Sequence, residues 1–271
     1  MKILAIMGSP RKGDTYYLTQ RVEEKLRALG DYEFEYLWLR DLDLGLCRGC
    51  YGCLWRGDEA CPHSEVVTEV ERRILDADGV IFASPVYALD MTALLKNLLD
   101  HLAHHMHRPR FFELKALLIC TAGAMGVGIT LRTMSAVSVM GFTVAHRLGM
   151  LMPSMPRTRA EERFIERKTE RAARALHRAL HTQRRPSPDL MSLIAFRAQQ
   201  GFFQINREEG PADYEYFAER GWFDPKRKYY VDAPVCLLKD WVARLVGRIS
   251  ARQMRNRAAT LAREAADRQE D

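Results

Sequence analysis

The chain has 271 residues, of which 47% are hydrophobic and 28% charged, with a net charge of +6. This is an ordinary globular balance that can bury a sizeable core, and no run of about 18 apolar residues marks a transmembrane helix. Charge is uneven: residues 1–150 carry 17 basic and 18 acidic side chains, residues 151–271 carry 24 and 17. With no nucleic-acid motif or interleaved aromatics, that basic excess reads as solvated helix faces, and no nucleic-acid partner is expected.

The opening MKILAIMGSPRKGD carries one lysine and a short apolar run closed by Gly8-Ser9-Pro10. It reads as a buried strand, because a signal peptide needs a longer apolar region and a small-residue cleavage site. The expectation is a cytoplasmic protein. Thr15–Leu29 has helical spacing and stops before Gly30, and Glu33–Leu39 alternates as a second strand. Arg40–Ser64 is a long Gly- and Cys-rich connection, a length that usually signals function. Glu65–Leu75 reads as a helix capped by Ser64. Gly79–Ala83 is a third strand, Met91–Leu102 a helix, Lys115–Thr121 a fourth strand, Val127–Met140 a helix and Gly141–Leu148 a fifth strand. Strands alternating with helices predict an α/β fold, a doubly wound five-stranded parallel sheet of order 2-1-3-4-5.

From Pro153 the pattern becomes helical: a charged helix at Arg159–His181, a more apolar stretch at Pro188–Gln204, an aromatic-rich one at Asp213–Trp222, and a long helix at Val235–Ala266. The division expected is therefore a domain over 1–152 and a helical extension over 153–271. Leu238, Trp241, Val242, Leu245, Val246 and Ile249 form a stripe that predicts packing against the main domain or a second subunit. Arg244, Arg248, Arg252, Arg255 and Arg257 beside it leave docking on a membrane surface as the rival.

In such a sheet, ligands bind beyond the carboxyl ends of the strands. The loop Gly8–Thr15 runs from strand to helix, where free N–H groups and the helix dipole suit a phosphate. It is neither a Walker loop nor GxGxxG. Ser84–Met91 offers proline rigidity and the flat Tyr87, and Thr121–Gly126 is glycine-rich enough to approach a planar ligand. One phosphate loop with two flat-ligand loops suggests a mononucleotide with an extended ring, a flavin.

The segments GSPRKGDT, SPVYALDMTALLKNLLD and KALLICTAGAMG resemble the NADPH-dependent FMN reductase group of flavodoxin-like proteins, over about residues 1–150. The resemblance implies a flavodoxin-like fold, FMN as cofactor and NAD(P)H as electron donor. It implies that Ser9, Arg11, Asp14, Thr15 and Tyr16 hold the FMN phosphate. Pro85, Val86, Tyr87 and Ala88 would hold the isoalloxazine, flanked by Thr121, Ala122 and Gly123. It also implies a homo-oligomer, a dimer or tetramer. Asp14 departs from the family's usual asparagine, and a carboxylate beside a phosphate is unfavourable unless it turns away or pairs with Arg11 or Lys12.

Cys47-x2-Cys50-x2-Cys53-x7-Cys61 places four thiols on one loop with Gly49, Gly52 and Gly57. Four such ligands suit a [4Fe–4S] cluster or tetrahedral zinc, and free thiols remain the alternative. The spacing resembles the iron–sulfur flavoprotein branch of the same family, which implies a cluster near FMN. His101, His104, His105 and His107 read as a helix-end cluster ahead of a metal site. Cys120 reads as core and Cys236 as packed. Tyr214, Tyr216, Phe217, Trp222 and Phe223 read as core or a subunit contact.

The function expected is an FMN-dependent NAD(P)H oxidoreductase passing electrons to an acceptor that the residues do not name, with the Cys loop as a relay if it holds a cluster. The rivals are an electron carrier that makes no use of NAD(P)H and a redox or metal sensor.

Overall fold

In a computed structural model the structure describes residues 1–182, 184–208 and 210–270, with the side chains of 258 and 261–270 excepted. Contacts divide the chain into two compact units, one of residues 1–50 and 62–183 and a second of residues 51–61 and 184–271.

The first unit is built on β1 (Lys2–Met7), β2 (Glu33–Trp38), β3 (Gly79–Tyr87), β4 (Asp90–Met91), β5 (Lys115–Ala122) and β6 (Thr143–Leu151). The sheet order is β2-β1-β3-β5-β6, all parallel; the two-residue β4 pairs antiparallel with the end of β3. Setting β4 aside, this is the expected 2-1-3-4-5 order of a flavodoxin-like fold.

Both faces are covered, which is why β1 and β5 read as unbroken apolar runs. Leu4, Ile6, Val80, Phe82, Leu118 and Cys120 face one way, onto α3 (Ser64–Leu75) and α4 (Ala93–His101). Ile3, Ala5, Met7, Ile81, Leu117 and Ile119 face the other, onto α1 (Asp14–Arg27) and α7 (Arg159–Leu180). The charged α7 thus belongs to the sheet's own unit: Ile165, Ala172, Ala173 and Leu176 are fully or almost fully buried there. It opens with a capping box in which the Thr158 side chain accepts from Glu161 N–H and Glu161 accepts from Thr158 N–H. Burial raises the pKa of the Cys120 thiol to about 12, so it behaves as a core side chain.

Element ends differ from the sequence reading in instructive ways. Ser64 is the first helical residue of α3, and the cap position is His63, which makes no side-chain cap. The fourth helix starts at Ala93, with Thr92 capping it by accepting from Leu95 N–H at 3.3 Å, because Met91 is taken into β4. Val127–Met140 is α6 only over Val127–Met134, then tightens into a 3-10 turn over Ser135–Ser138.

Two histidines of this unit make it acid-sensitive. Burial, aided by Arg171, Lys168 and Arg147, lowers the pKa of His146. Burial, aided by His181 and Arg174, lowers that of His177, whose Nδ1 lies 2.7 Å from the Tyr32 hydroxyl. Both therefore take up a proton at lower pH in the folded chain than in the unfolded one, which protonates them near about pH 6.5. Below that pH the unfolded chain binds more protons, so this stability is complete above about pH 6.5 and is lost as the pH falls through the folded pKa values. Thermal melts should show a midpoint that falls as the pH drops below about 6.5, with a shallower fall in the His146→Asn/His177→Asn chain.

The second unit holds α2 (Gly52–Trp55), α8 (Leu190–Ile205), α9 (Pro211–Glu219) and α10 (Leu237–Glu270), with α5 (His104–His107) and the rest belonging to the first. Its core is aromatic: Phe217 packs edge-on to Phe203 and Trp222 at 4.8 and 5.0 Å, and Trp222 meets Tyr230 at 4.8 Å. The aromatic-rich stretch is therefore core. α8 and α10 cross closely through small residues, since a Cβ on Gly247 would stand 2.8 Å from Arg197 Cβ and one on Gly201 2.9 Å from Ala251 Cβ. Asp240 binds Arg197 at 2.8 Å across this contact; burial alone would raise its pKa, and Arg197 and Arg244 pull it below the usual range.

The stripe on α10 is turned outward: Leu238, Trp241, Leu245 and Ile249 are exposed, and Asp240, Ala243 and Gly247 take the buried side. Cys236, expected to pack, is exposed, and its thiol pKa is lowered by the N–H groups of Lys239 and Leu238. No helix among the described residues is long and apolar enough to cross a membrane.

Candidate flavin site

The loops after β1, β3 and β5 all leave the carboxyl edge of the sheet, and hydrogen bonds tie them to one another. Gly8 N–H donates to Ala83 O at 2.8 Å, joining the first loop to β3. Thr92 Oγ1 donates to Gly8 O at 2.7 Å, and Thr92 N–H donates to Ser84 Oγ at 3.0 Å. Thr15 Oγ1 and Thr121 Oγ1 lie 2.6 Å apart in the interior, linking the start of α1 to the end of β5. Gly8 is required here: a Cβ would stand 2.9 Å from Leu95 Cβ and 3.2 Å from Ala83 O.

The first loop is shaped as an anion receptor. Ser9 is buried, and its hydroxyl donates to Arg11 O at 2.7 Å and accepts from Arg11 N–H at 3.3 Å. Tyr17 N–H, on Gly13 O at 2.9 Å, is the first bond of the α1 ladder. The N–H groups of Asp14, Thr15 and Tyr16 therefore lie ahead of that ladder, at the positive end of a 14-residue helix. Tyr16 leans on Tyr36 and Trp38, with ring centroids at 5.5 and 5.3 Å. Asp14 pairs with Arg157, whose guanidinium also reaches Glu162 at 3.6 Å and covers the Tyr17 ring at 4.4 Å. This partner is neither Arg11 nor Lys12. No sequence motif marks Arg157, which lies in the Pro-rich connection before α7, 143 positions from Asp14.

The second loop is a hairpin. β3 continues through Pro85, Val86 and Tyr87, then turns through Ala88 (φ 48°) and Leu89 (φ 66°) into β4. Two successive positive φ values are the mark of a turn that favours Asn-Gly, so the Ala88-Leu89 backbone is strained. α6 holds it: Thr130 Oγ1 donates to Leu89 O at 3.3 Å, and Thr133 Oγ1 to Asp90 Oδ1 at 2.5 Å. Tyr87 and Leu89 are exposed at its tip. In the third loop Thr121 and Ala122 are buried, while Gly123 is exposed and a Cβ there would meet nothing within 4 Å.

The first half of the Cys loop is clamped by α4. Asn97 Oδ1 accepts from Cys47 N–H at 2.9 Å, and Asn97 Nδ2 donates to Gly45 O at 3.0 Å. His101 Nε2 lies 2.8 Å from the same carbonyl, and its ring meets His63 edge-on at 5.3 Å. Asn97 and His101 are thus positioning residues that spacing alone does not reveal. Cys47 and Cys50 are exposed on the first unit; Cys53 and Cys61, half-buried, belong to the second. None of the six cysteines is in a disulfide.

Residues 1–154 match the NADPH-dependent FMN reductase family. The chain belongs to that family. Among relatives, an iron–sulfur flavoprotein of Archaeoglobus fulgidus is 36% identical over 100 residues, 37% of this chain and 48% of that one. One of Methanocaldococcus jannaschii is 40% identical over 103 residues, 37% of this chain and 51% of that one. The chain spans about half the length of the relatives it matches. A solved NAD(P)H:quinone oxidoreductase from Methanothermobacter marburgensis superposes with a TM-score of 0.49 at 22% identity, covering 65% of this chain and 94% of that one.

Proposed function

We propose that the chain is an FMN-dependent NAD(P)H oxidoreductase that passes electrons from reduced nicotinamide to an acceptor. The observation that carries this reading is the 2.6 Å Thr15–Thr121 bond, which ties a helix-start anion receptor to a glycine-bearing loop at one sheet edge. Membership in the FMN reductase family supports it.

The residues fit FMN. Ser9, Arg11, Thr15 and Tyr16 with the free N–H groups of α1 would hold the phosphate, while Asp14 is neutralised by Arg157. Pro85, Val86, Tyr87 and Ala88 would hold one edge of the ring, and Thr121, Ala122 and Gly123 would flank it, the open space at Gly123 admitting a flat ligand. When bound, FMN would supply the hydride and electron-transfer chemistry. The chain would orient the ring between the second and third loops and offer the backbone N–H groups near Tyr87 and Ala88 to charge that builds there. No side-chain acid or base is needed.

Cys47, Cys50, Cys53 and Cys61 would hold a [4Fe–4S] cluster, which supplies single-electron transfer when present. Gly49 (φ 62°) and Gly57 (φ 111°) take left-handed backbone conformations that glycine favours. The reading includes a homo-oligomer and a cytoplasmic location, with residues 153–271 as a helical extension whose first helix, α7, packs on the sheet.

Anaerobically purified protein should show flavin bands, about four irons per chain, and NAD(P)H oxidation with an added quinone. Flavin without iron removes the cluster alone. Flavin without NAD(P)H oxidation leaves an electron carrier. A colourless chain that takes up no added FMN overturns the reading.

A further inference from the structure

Glu71, His104 and His105 meet inside the first unit, away from the flavin loops. Glu71 lies toward the end of α3, which leads into the start of β3, and the histidines open α5, which precedes β5. Both connections return to the amino edge of the sheet, opposite the candidate flavin site. The three side chains are 8%, 2% and 1% exposed. Glu71 Oε1 stands 3.2 Å from His104 Nε2 and 2.8 Å from His105 Nε2. One ligand atom from each residue falls within 4.8 Å of the others.

Hydrogen bonding alone accounts poorly for this arrangement. His104 Nδ1 lies 3.0 Å from His101 O, which can only accept, so Nδ1 carries the proton. In the neutral ring Nε2 is then a lone pair, set against a carboxylate oxygen. His105 Nε2 crowds the same oxygen at 2.8 Å, and His105 Nδ1 completes no hydrogen bond. Arg110 Nη1 approaches the other carboxylate oxygen, Oε2, at 3.5 Å and leaves Oε1 to the histidines.

A bound cation would take lone pairs from both Nε2 atoms and from Oε1 together. The spacing suits one: two ligands each about 2.05 Å from zinc stand about 3.3 Å apart at the tetrahedral angle. Two imidazoles with one carboxylate select the borderline ions over magnesium or calcium. We propose that Glu71, His104 and His105 form a structural site for a divalent transition-metal ion of zinc's class, which ties α3 to α5. The burial of all three side chains suits a structural ion, and the remaining coordination would fall to water or to Oε2.

The test strips the full chain with a chelator and titrates it with Co2+. The expected result is one tightly held cobalt with the weak visible bands of a nitrogen–oxygen site and no thiolate charge-transfer band, in addition to whatever the Cys loop binds. That cobalt should persist in the Cys47→Ser/Cys50→Ser/Cys53→Ser/Cys61→Ser chain and bind at least about tenfold more weakly after Glu71→Gln or His105→Asn. Zn2+ should raise the melting temperature of the stripped wild-type chain. Cobalt uptake through thiolates alone, or an unchanged nitrogen–oxygen site in both single variants, overturns the proposal. Circular dichroism reports whether each variant folds; where one does not, the wild-type spectrum decides, and absence of the nitrogen–oxygen bands overturns it.

Discussion

Gly8→Ala is expected to lower stability by about 1–3 kcal/mol and to abolish flavin retention, whereas Gly123→Ala should leave stability unchanged and weaken flavin binding alone. The two glycines differ in what a methyl group would meet. At Gly8 the new Cβ would stand 2.9 Å from Leu95 Cβ, 3.1 Å from Thr92 Oγ1 and 3.2 Å from Ala83 O. Leu95 Cβ is fixed to a helix and Ala83 O belongs to a central strand, so neither can yield by turning a rotamer. What gives is the pair of bonds from Thr92 to Gly8 O and from Gly8 N–H to Ala83 O, which set the height of the anion loop over the sheet. At Gly123 the Cβ meets no protein atom within 4 Å, and the only thing it can obstruct is a ligand. Thermal melts with and without FMN, together with flavin titrations, separate the cases. Equal flavin affinity in wild type and Gly123→Ala would remove the third loop from the site; an unperturbed Gly8→Ala chain would remove the close packing assigned to the first.

Much of this arrangement is legible in the sequence where a single element carries the signal. β1 and β5 are apolar runs ended by Gly8-Ser9-Pro10 and by Ala122-Gly123, and both faces of the sheet are covered, so period and boundary agree. The end of β3 is not legible: Pro85 reads as a stop, yet Pro85 pairs in register with Thr121 and the strand runs on to Tyr87. The turn that follows uses Ala88 and Leu89, neither of which carries a turn signature. α10 misleads for another reason. Hydrophobic periodicity marks Leu238, Trp241, Leu245 and Ile249, but a close helix crossing is set by what is small, and Ala243 and Gly247 take the inward side. The three ligand atoms of Glu71, His104 and His105 come from elements over thirty positions apart, a convergence that periodicity does not encode.

Arg157→Ala should weaken FMN binding by about 10- to 100-fold while leaving riboflavin binding unchanged, and Asp14→Asn in the same chain should restore it. In the wild type the Asp14 carboxylate is paired with Arg157 and removed from competition with a phosphate at the start of α1. Without the guanidinium, an uncompensated carboxylate faces the dianion. At about 6 Å and an effective dielectric of about 20, unit charges repel by about 3 kcal/mol before salt screening, which leaves about 1–3 kcal/mol. Asn at position 14 removes the charge, so the double variant should bind as the wild type does, and Asp14→Asn alone should bind at least as tightly. Arg157 also covers the Tyr17 ring and reaches Glu162, so its loss could loosen the start of α7 and mimic a phosphate effect. Riboflavin has no phosphate, and the double variant lacks the same cover; a purely structural loss would therefore weaken riboflavin too and would not be rescued at position 14. If Arg157→Ala binds FMN as tightly as the wild type, the phosphate does not lie at the start of α1, and the role assigned to Ser9, Arg11, Thr15 and Tyr16 falls with it.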